Sequence, residues 1–331
     1  MVTAISRLPP LPTGPATGSV RALKRPKEPP LTPDSPMIAL AYRCLRREHQ
    51  ALLRRQPQGG ATPTPEDVHQ SRIATRRMRV GLRLFDALLP KSVTTRLAKE
   101  LRWFASTLGA VRDLDVHAEA LREHLQAAGP DATQELGGYE LALRREGLAE
   151  RDALHTLFSS DRYAALMATL AELLDGAPSP AALRRWRSFT IRAGAGRCLK
   201  RTRRQVVALG RELGSNAGAE DLHRLRIRAK RLRYALEFFL EPYPQLEPAA
   251  KATKALQDVL GAHQDAHTAR RRVLAYTRAI RKRGVAASAP PGALSIWGST
   301  QHRRAAQARR DLVLEWQRFL VATDLPDLGA R

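Results

Sequence analysis

Cysteine is nearly absent: Cys44 and Cys198 are the two in 331 residues. Two thiols cannot build a disulfide framework or a Cys-rich zinc site, and they fit a reducing compartment. Aromatic residues make up 5% of the chain, which is sparse for a surface that stacks bases. No stretch approaches the ~18 consecutive apolar residues of a membrane span. Prolines break the first residues, MVTAISRLPPLPTGP, before an apolar signal core can form. The expected compartment is the cytoplasm, with no membrane partner. Acidic residues are also scarce, 32 Asp+Glu against 56 Lys+Arg, which leaves a formal net charge of +24. An excess of this size opposes compaction, and a bound polyanion offsets it.

Nine of the 22 prolines lie in residues 1–36, so this stretch reads as a disordered Pro-rich tail. The domain is expected over 37–331, where 43% hydrophobic content for the whole chain is enough for a core. Apolar and charged residues there recur at three-to-four spacing, broken by Gly/Pro clusters such as QPQGGATPTP and GVAASAPPG. No β-branched alternation flanked by hairpin turns interrupts them, and the fold class is all-α, with about ten helices. Thr64, Pro65 and Asp67 form the cap, first-turn proline and acidic return of a helix start.

The most informative feature is an internal repeat. Residues 67–85, DVHQSRIATRRMRVGLRLF, align without gaps on residues 221–239, DLHRLRIRAKRLRYALEFF, at an offset of 154, and eight of the 19 pairs are identical. At the same offset Arg43-Cys44-Leu45-Arg46-Arg47 falls on Arg197-Cys198-Leu199-Lys200-Arg201. Downstream, Leu108-Gly109-Ala110 with Asp113 matches Leu260-Gly261-Ala262 with Asp265. Three matches in order imply a duplication, with half-repeats at 37–180 and 181–323. The simplest architecture is two helical bundles about a pseudo-twofold axis, which places like elements around one shared site.

At 100° per residue, His69, Arg72, Arg76, Arg79 and Arg83 share an arc of about 80°, while Ala74, Met78, Leu82 and Phe85 lie opposite. One side packs; the other is a cationic ridge about 21 Å long. The second copy presents His223, Arg226, Lys230 and Arg233 in the same way, with Glu237 where the first has Arg83. Like charges at i, i+4 weaken a helix by a few tenths of a kcal/mol per pair, a cost that an anion offsets. Arg supplies bidentate hydrogen bonds to phosphate oxygens and Lys a point charge. Basic residues preceding each ridge, Arg43 and Arg47, then Arg197, Arg201 and Arg204, are candidates to complete the walls of a groove. Arg77 and Arg231 lie off the arc, with structural pairing to Asp113 or Asp265 as an alternative to ligand contact.

The pattern HxxRxxxRRxR, present as His69-Arg72-Arg76-Arg77-Arg79 and as His223-Arg226-Lys230-Arg231-Arg233, occurs with LGAVRDLDV and LGAHQDA. Together they resemble the conserved histidine α-helical domain, or CHAD, family over about residues 37–321. The resemblance implies two pseudo-symmetric four-helix bundles with a basic central cavity that binds inorganic polyphosphate, and an association with polyphosphate granules. Carried over, the motif histidines and basic residues line that cavity. Lys230 departs from the Arg pair, and His263-Gln264 stands opposite Val111-Arg112. No ExExK element of the tunnel enzymes sometimes fused to this family is present, so the domain is expected to act alone.

The expected function is therefore a non-catalytic polyphosphate-binding or granule-targeting module that needs no cofactor and no metal. RNA or another nucleic acid is the second candidate partner, although the first ridge contains no aromatic and Tyr234 alone adjoins the second. A metal-dependent phosphohydrolase built on Asp113, Asp115, Asp265, His263 and His267 is the third. His263 and His267 at i, i+4 can share a metal, but Asp265 between them points about 200° away from His263 on one helix. No Gly-rich phosphate loop, nucleophile elbow or Ser/His/Asp arrangement stands out.

Overall fold

The periodicity of the sequence is realised as ten α-helices in the computed structural model, which describes residues 29–331 except 58, 60, 176–177, 215–216, 283–290, 326–327 and 329–331. They are α1 (Met37–Arg54), α2 (Pro65–Leu84), α3 (Lys91–Ala128), α4 (Pro130–Phe158), α5 (Asp161–Asp175), α6 (Pro180–Arg185), α7 (Ile191–Glu212), α8 (Ala219–Phe238), α9 (Glu247–Lys282) and α10 (Pro291–Ala322). The isolated bridge between Pro36 and Thr190 is the one β-type pairing among the described residues.

Local chemistry sets the helix ends. The Thr64 hydroxyl accepts from the Asp67 N–H at 3.1 Å, and the Asp67 carboxylate accepts from the Thr64 N–H at 3.2 Å. With Pro65 at the first helical position, this is the capping box expected from the sequence. At α8 the Asp221 carboxylate accepts from the Gly218 N–H, but Gly218 has no side chain to reciprocate, so half the box is made. Gly129, at φ +87°, joins the 38-residue α3 to α4. An L side chain is disfavoured there.

The helices gather as α1–α5 and α7–α10, with α2 packed on α8, α1 on α7 and α4 on α10. The first group holds five helices rather than the four expected. The chain breaks at Ser159-Ser160, where the Ser160 hydroxyl accepts from the Tyr163 N–H and restarts the chain as α5. The main core runs through both groups, from Leu45, Met78 and Phe104 to Leu232, Phe239 and Leu256. On α2 the buried residues include Ala74, Met78 and Leu82, the face opposite the ridge. A second cluster, with Leu121, Tyr139 and Trp297, binds the far halves of α3, α9 and α10 to α4.

The sequence reading ends the tail at Pro36, but residues 31–36 belong to the folded body; residues 1–28 lie outside the described residues. Leu31 is buried and its N–H donates to Glu241 at 2.8 Å. Ile191 and Arg192 at the start of α7 carry N–H groups with no partner inside their helix. These donate to the Ser35 and Pro33 carbonyls at 2.9 and 2.7 Å, while Arg192 grips Asp34. The segment turns at residues 33–35, where the Ser35 N–H donates to the Thr32 carbonyl at 3.0 Å, and this turn presents the Pro33 and Ser35 carbonyls to the helix start.

Candidate anion-binding site

A cavity of about 1380 Å³ lies among α2, α3, α7, α8, α9 and α10. Its wall carries twelve Arg and Lys side chains against four Asp. All nine ridge residues line it: His69, Arg72, Arg76, Arg79 and Arg83 from α2, and His223, Arg226, Lys230 and Arg233 from α8. The packing of α2 against α8 turns two ridges on separate helices into facing walls. Arg201 reaches the same cavity from α7.

Four of the expected residues stand elsewhere. Arg43 and Arg47 line a separate depression with Glu237 and Glu241; Arg43 pairs with Glu241 at 2.5 Å and Arg47 with Glu48 at 3.1 Å. Acidic partners on α1 and after α8 occupy them, which spacing on α1 alone does not reveal. Arg197 and Arg204, on the same stripe of α7 as Arg201, are exposed and line neither cavity. The second-tier pair also divides. Arg77 pairs with Glu48 at 2.9 Å and Glu237 at 2.8 Å, not with Asp113, whereas Arg231 lines the cavity.

The cavity cations are poorly compensated. Arg72 donates to Asp113 at 3.2 Å, and Arg233 pairs with Glu237 at 3.3 Å. Among the described residues no carboxylate lies within ion-pair distance of Arg76, Arg79, Arg226 or Lys230. Burial, reinforced by neighbouring guanidiniums, lowers the basicity of Arg72 and Arg79, and burial does the same for Arg226. Lys230, 8% exposed, is pushed down to about 6 by burial and then by Arg226, Arg76 and Arg72. Burial and Arg112 hold His69 low, so it is neutral at pH 7. Its buried Nδ1 has no partner, as does the Nε of Arg226. His223 Nδ1 faces the Gln264 carbonyl oxygen at 3.1 Å, and His223 lines the cavity. The result is a set of donors aimed at a void, which is what a multiply charged anion requires.

Sequence reasoning missed the wall supplied by α3, α9 and α10. Arg112, Lys254, Gln257, Gln301 and Arg304 line the cavity, and the Nε2 of the buried Gln301 and the Oε1 of Gln257 lack partners. Arg112 sits inside the LGAVRD motif, a signal that was available; α10 carries no motif. The phosphohydrolase set does not converge. Asp113 and Asp265 line the cavity, but His263 and His267 do not, and Asp115 pairs with Arg151. Among the described residues no group of three or more His, Cys, Asp or Glu is placed to hold a metal ion.

A sequence model of the CHAD domain matches residues 37–274. The chain belongs to the CHAD domain family. Solved CHAD-type folds agree with the architecture: the CHAD domain from the plant Ricinus communis superposes with a TM-score of 0.67 at 23% identity, covering 90% of this chain and 96% of that one. PptA from Streptomyces chartreusis gives a TM-score of 0.67 at 20% identity, covering 86% and 100%. Two uncharacterized proteins of Mycobacterium tuberculosis, MT2285 and Rv2226, are each 27% identical over 217 residues, 62% of this chain and 40% of the relative. The match thus spans less than half the length of those relatives. No helix of this CHAD protein is long and apolar enough, among the described residues, to cross a membrane.

Proposed function

We propose that this CHAD domain binds inorganic polyphosphate in the cavity between α2 and α8, without catalysis, and so carries its chain to polyphosphate granules in the cytoplasm. The observation that carries the reading is the gathering of all nine ridge residues around one void, with Arg76, Arg79, Arg83 and Arg226 as cations that have no acidic partner among the described residues. Successive phosphates engage Arg and Lys from facing walls, and counterion release is the main favourable term. The internal repeat enters as part of the same proposal: a duplicated half-domain supplies both walls.

Nucleic acid is the weaker partner. Tyr234, the aromatic beside the second ridge, is 1% exposed beneath Arg77 and Arg233, so it offers no face for a base to stack on.

The test is a salt titration of polyphosphate binding with RNA of equal charge as competitor. If about eight cations engage, log K falls by roughly 5 to 6 per decade of salt. Replacing Arg72, Arg76, Arg226 and Lys230 by Ala should remove up to about half of that slope. A flat salt response, or RNA competing as well as polyphosphate, overturns the proposal.

A further inference from the structure

The chain contains nine lysines against 47 arginines, and one lysine is buried among the described residues: Lys230. It occupies the position where the first motif copy has Arg76. An arginine stays charged in any protein environment, whereas a buried lysine surrenders its proton readily. Every element packed near the amine contributes charge: Arg72 and Arg76 from α2, Arg226 from α8 and Asp265 from α9, with Asp113 of α3 facing Arg226. No carboxylate is within ion-pair distance of Lys230 among the described residues, yet its side chain lines the open cavity.

We propose that Lys230 is a modification site, acylated at Nζ by small acyl phosphates that enter the cationic cavity. The inference rests on the reading of the cavity as a phosphate site. The surrounding guanidiniums do two jobs: they hold the phosphoryl end of the reagent, and they keep the amine in its nucleophilic, unprotonated form, in line with its value of about 6. The nitrogen lone pair attacks the acyl carbon, a C–N bond forms and the C–O bond to phosphate breaks. Inorganic phosphate departs with the bonding pair and takes up the proton that the amine loses. No further reactant is needed. The product amide cannot carry charge, so a modified site can no longer take up the proton that a bound polyanion favours on the amine.

The test treats the full-length protein with acetyl phosphate and reads each lysine by peptide mass spectrometry across pH 6.5–9. Lys230 should react at least ~10-fold faster at pH 7 than the exposed Lys91, Lys99, Lys200 and Lys251, which lie outside the cavity lining. Its rate should level off above about pH 7, while theirs keep climbing about tenfold per unit. Added tripolyphosphate should protect it. A Lys230 rate no greater than that of the exposed lysines, or one that climbs with pH as theirs do, overturns the proposal. Polyphosphate binding measured on the same samples separates the two readings: rapid acylation without polyphosphate binding sinks the proposed function alone, and binding without selective acylation sinks this inference alone.

Discussion

Arg72 of α2 donates to Asp113 of α3 at 3.2 Å across the wall of the cationic cavity. The carboxylate is 59% exposed and the guanidinium 21%, so the pair holds an arginine in place for an anion at little energetic cost. An exposed ion pair contributes about 1 kcal/mol or less. A polyphosphate oxygen must displace Asp113 or accommodate its charge. Asp113→Asn should therefore tighten polyphosphate binding about 2- to 5-fold at constant salt. Calorimetric titration of the variant beside the wild type checks this; weaker binding means that Asp113 orients Arg72 rather than competing for it.

Lys230 sets stability against binding. Its amine falls to about 6 in the folded protein, against ~10.4 in the unfolded chain. Between those values the unfolded state holds a proton that the folded state lacks, so the unliganded protein gains stability as pH rises from 6 to 10. Lys230→Met removes both the buried amine and that slope. We expect Tm at pH 7 to rise by about 2–6 °C while polyphosphate affinity falls about 3- to 10-fold. Thermal melts at pH 7 and 9 with a parallel binding assay decide it, and a Met variant that melts lower at pH 7 contradicts the account.

The ridge on α2 was legible because its cations repeat at helical spacing against an apolar face, and the second copy at α8 marked the same surface. Legibility ended where long-range pairing decides. Arg43 and Arg47 look like Arg72 and Arg76 in the sequence, but Glu241 and Glu48 neutralise them. Glu237, which stands where the first ridge has Arg83, also takes up Arg77 and Arg233 from two different helices. The contribution of α10 was invisible, since Gln301 and Arg304 carry no repeated motif and reach the cavity through the packing of α10 on α9. Residues 31–36 looked like the remainder of a Pro-rich tail because proline content does not register that their carbonyls complete the start of α7.

Arg77 belongs to the core's electrostatics. It pairs with Glu48, whose side chain is 6% exposed, and lies over the Tyr234 and Phe238 rings. Removing it leaves a buried carboxylate with Arg47 as its remaining partner. Arg77→Ala should cost about 2–4 kcal/mol of stability and leave the salt slope of polyphosphate binding unchanged. Urea unfolding measures the first and the binding titration the second. A reduced slope in a folded variant returns Arg77 to the anion site.

His117 makes the protein acid-sensitive. It is buried with its Nε2 2.6 Å from the Tyr139 hydroxyl, and burial followed by Arg272 lowers it to about 4, with Glu146 opposing. An unfolded histidine titrates near ~6.5. Between pH 6.5 and 4 the unfolded chain thus binds a proton that the folded one refuses, so His117's contribution is fully present above pH 6.5 and is lost as pH falls toward 4. Its maximum is about 3 kcal/mol. His49, His69, His124, His263 and His267 are also held low by burial and act with the same sign, so the wild type should lose stability steeply over this range. His117→Gln keeps a polar partner for Tyr139 but has no proton to bind. Its urea midpoint should fall less between pH 7.5 and 4.5 than that of the wild type. An equal fall in both proteins assigns the acid sensitivity to the other histidines and to the carboxylates of the ion pairs.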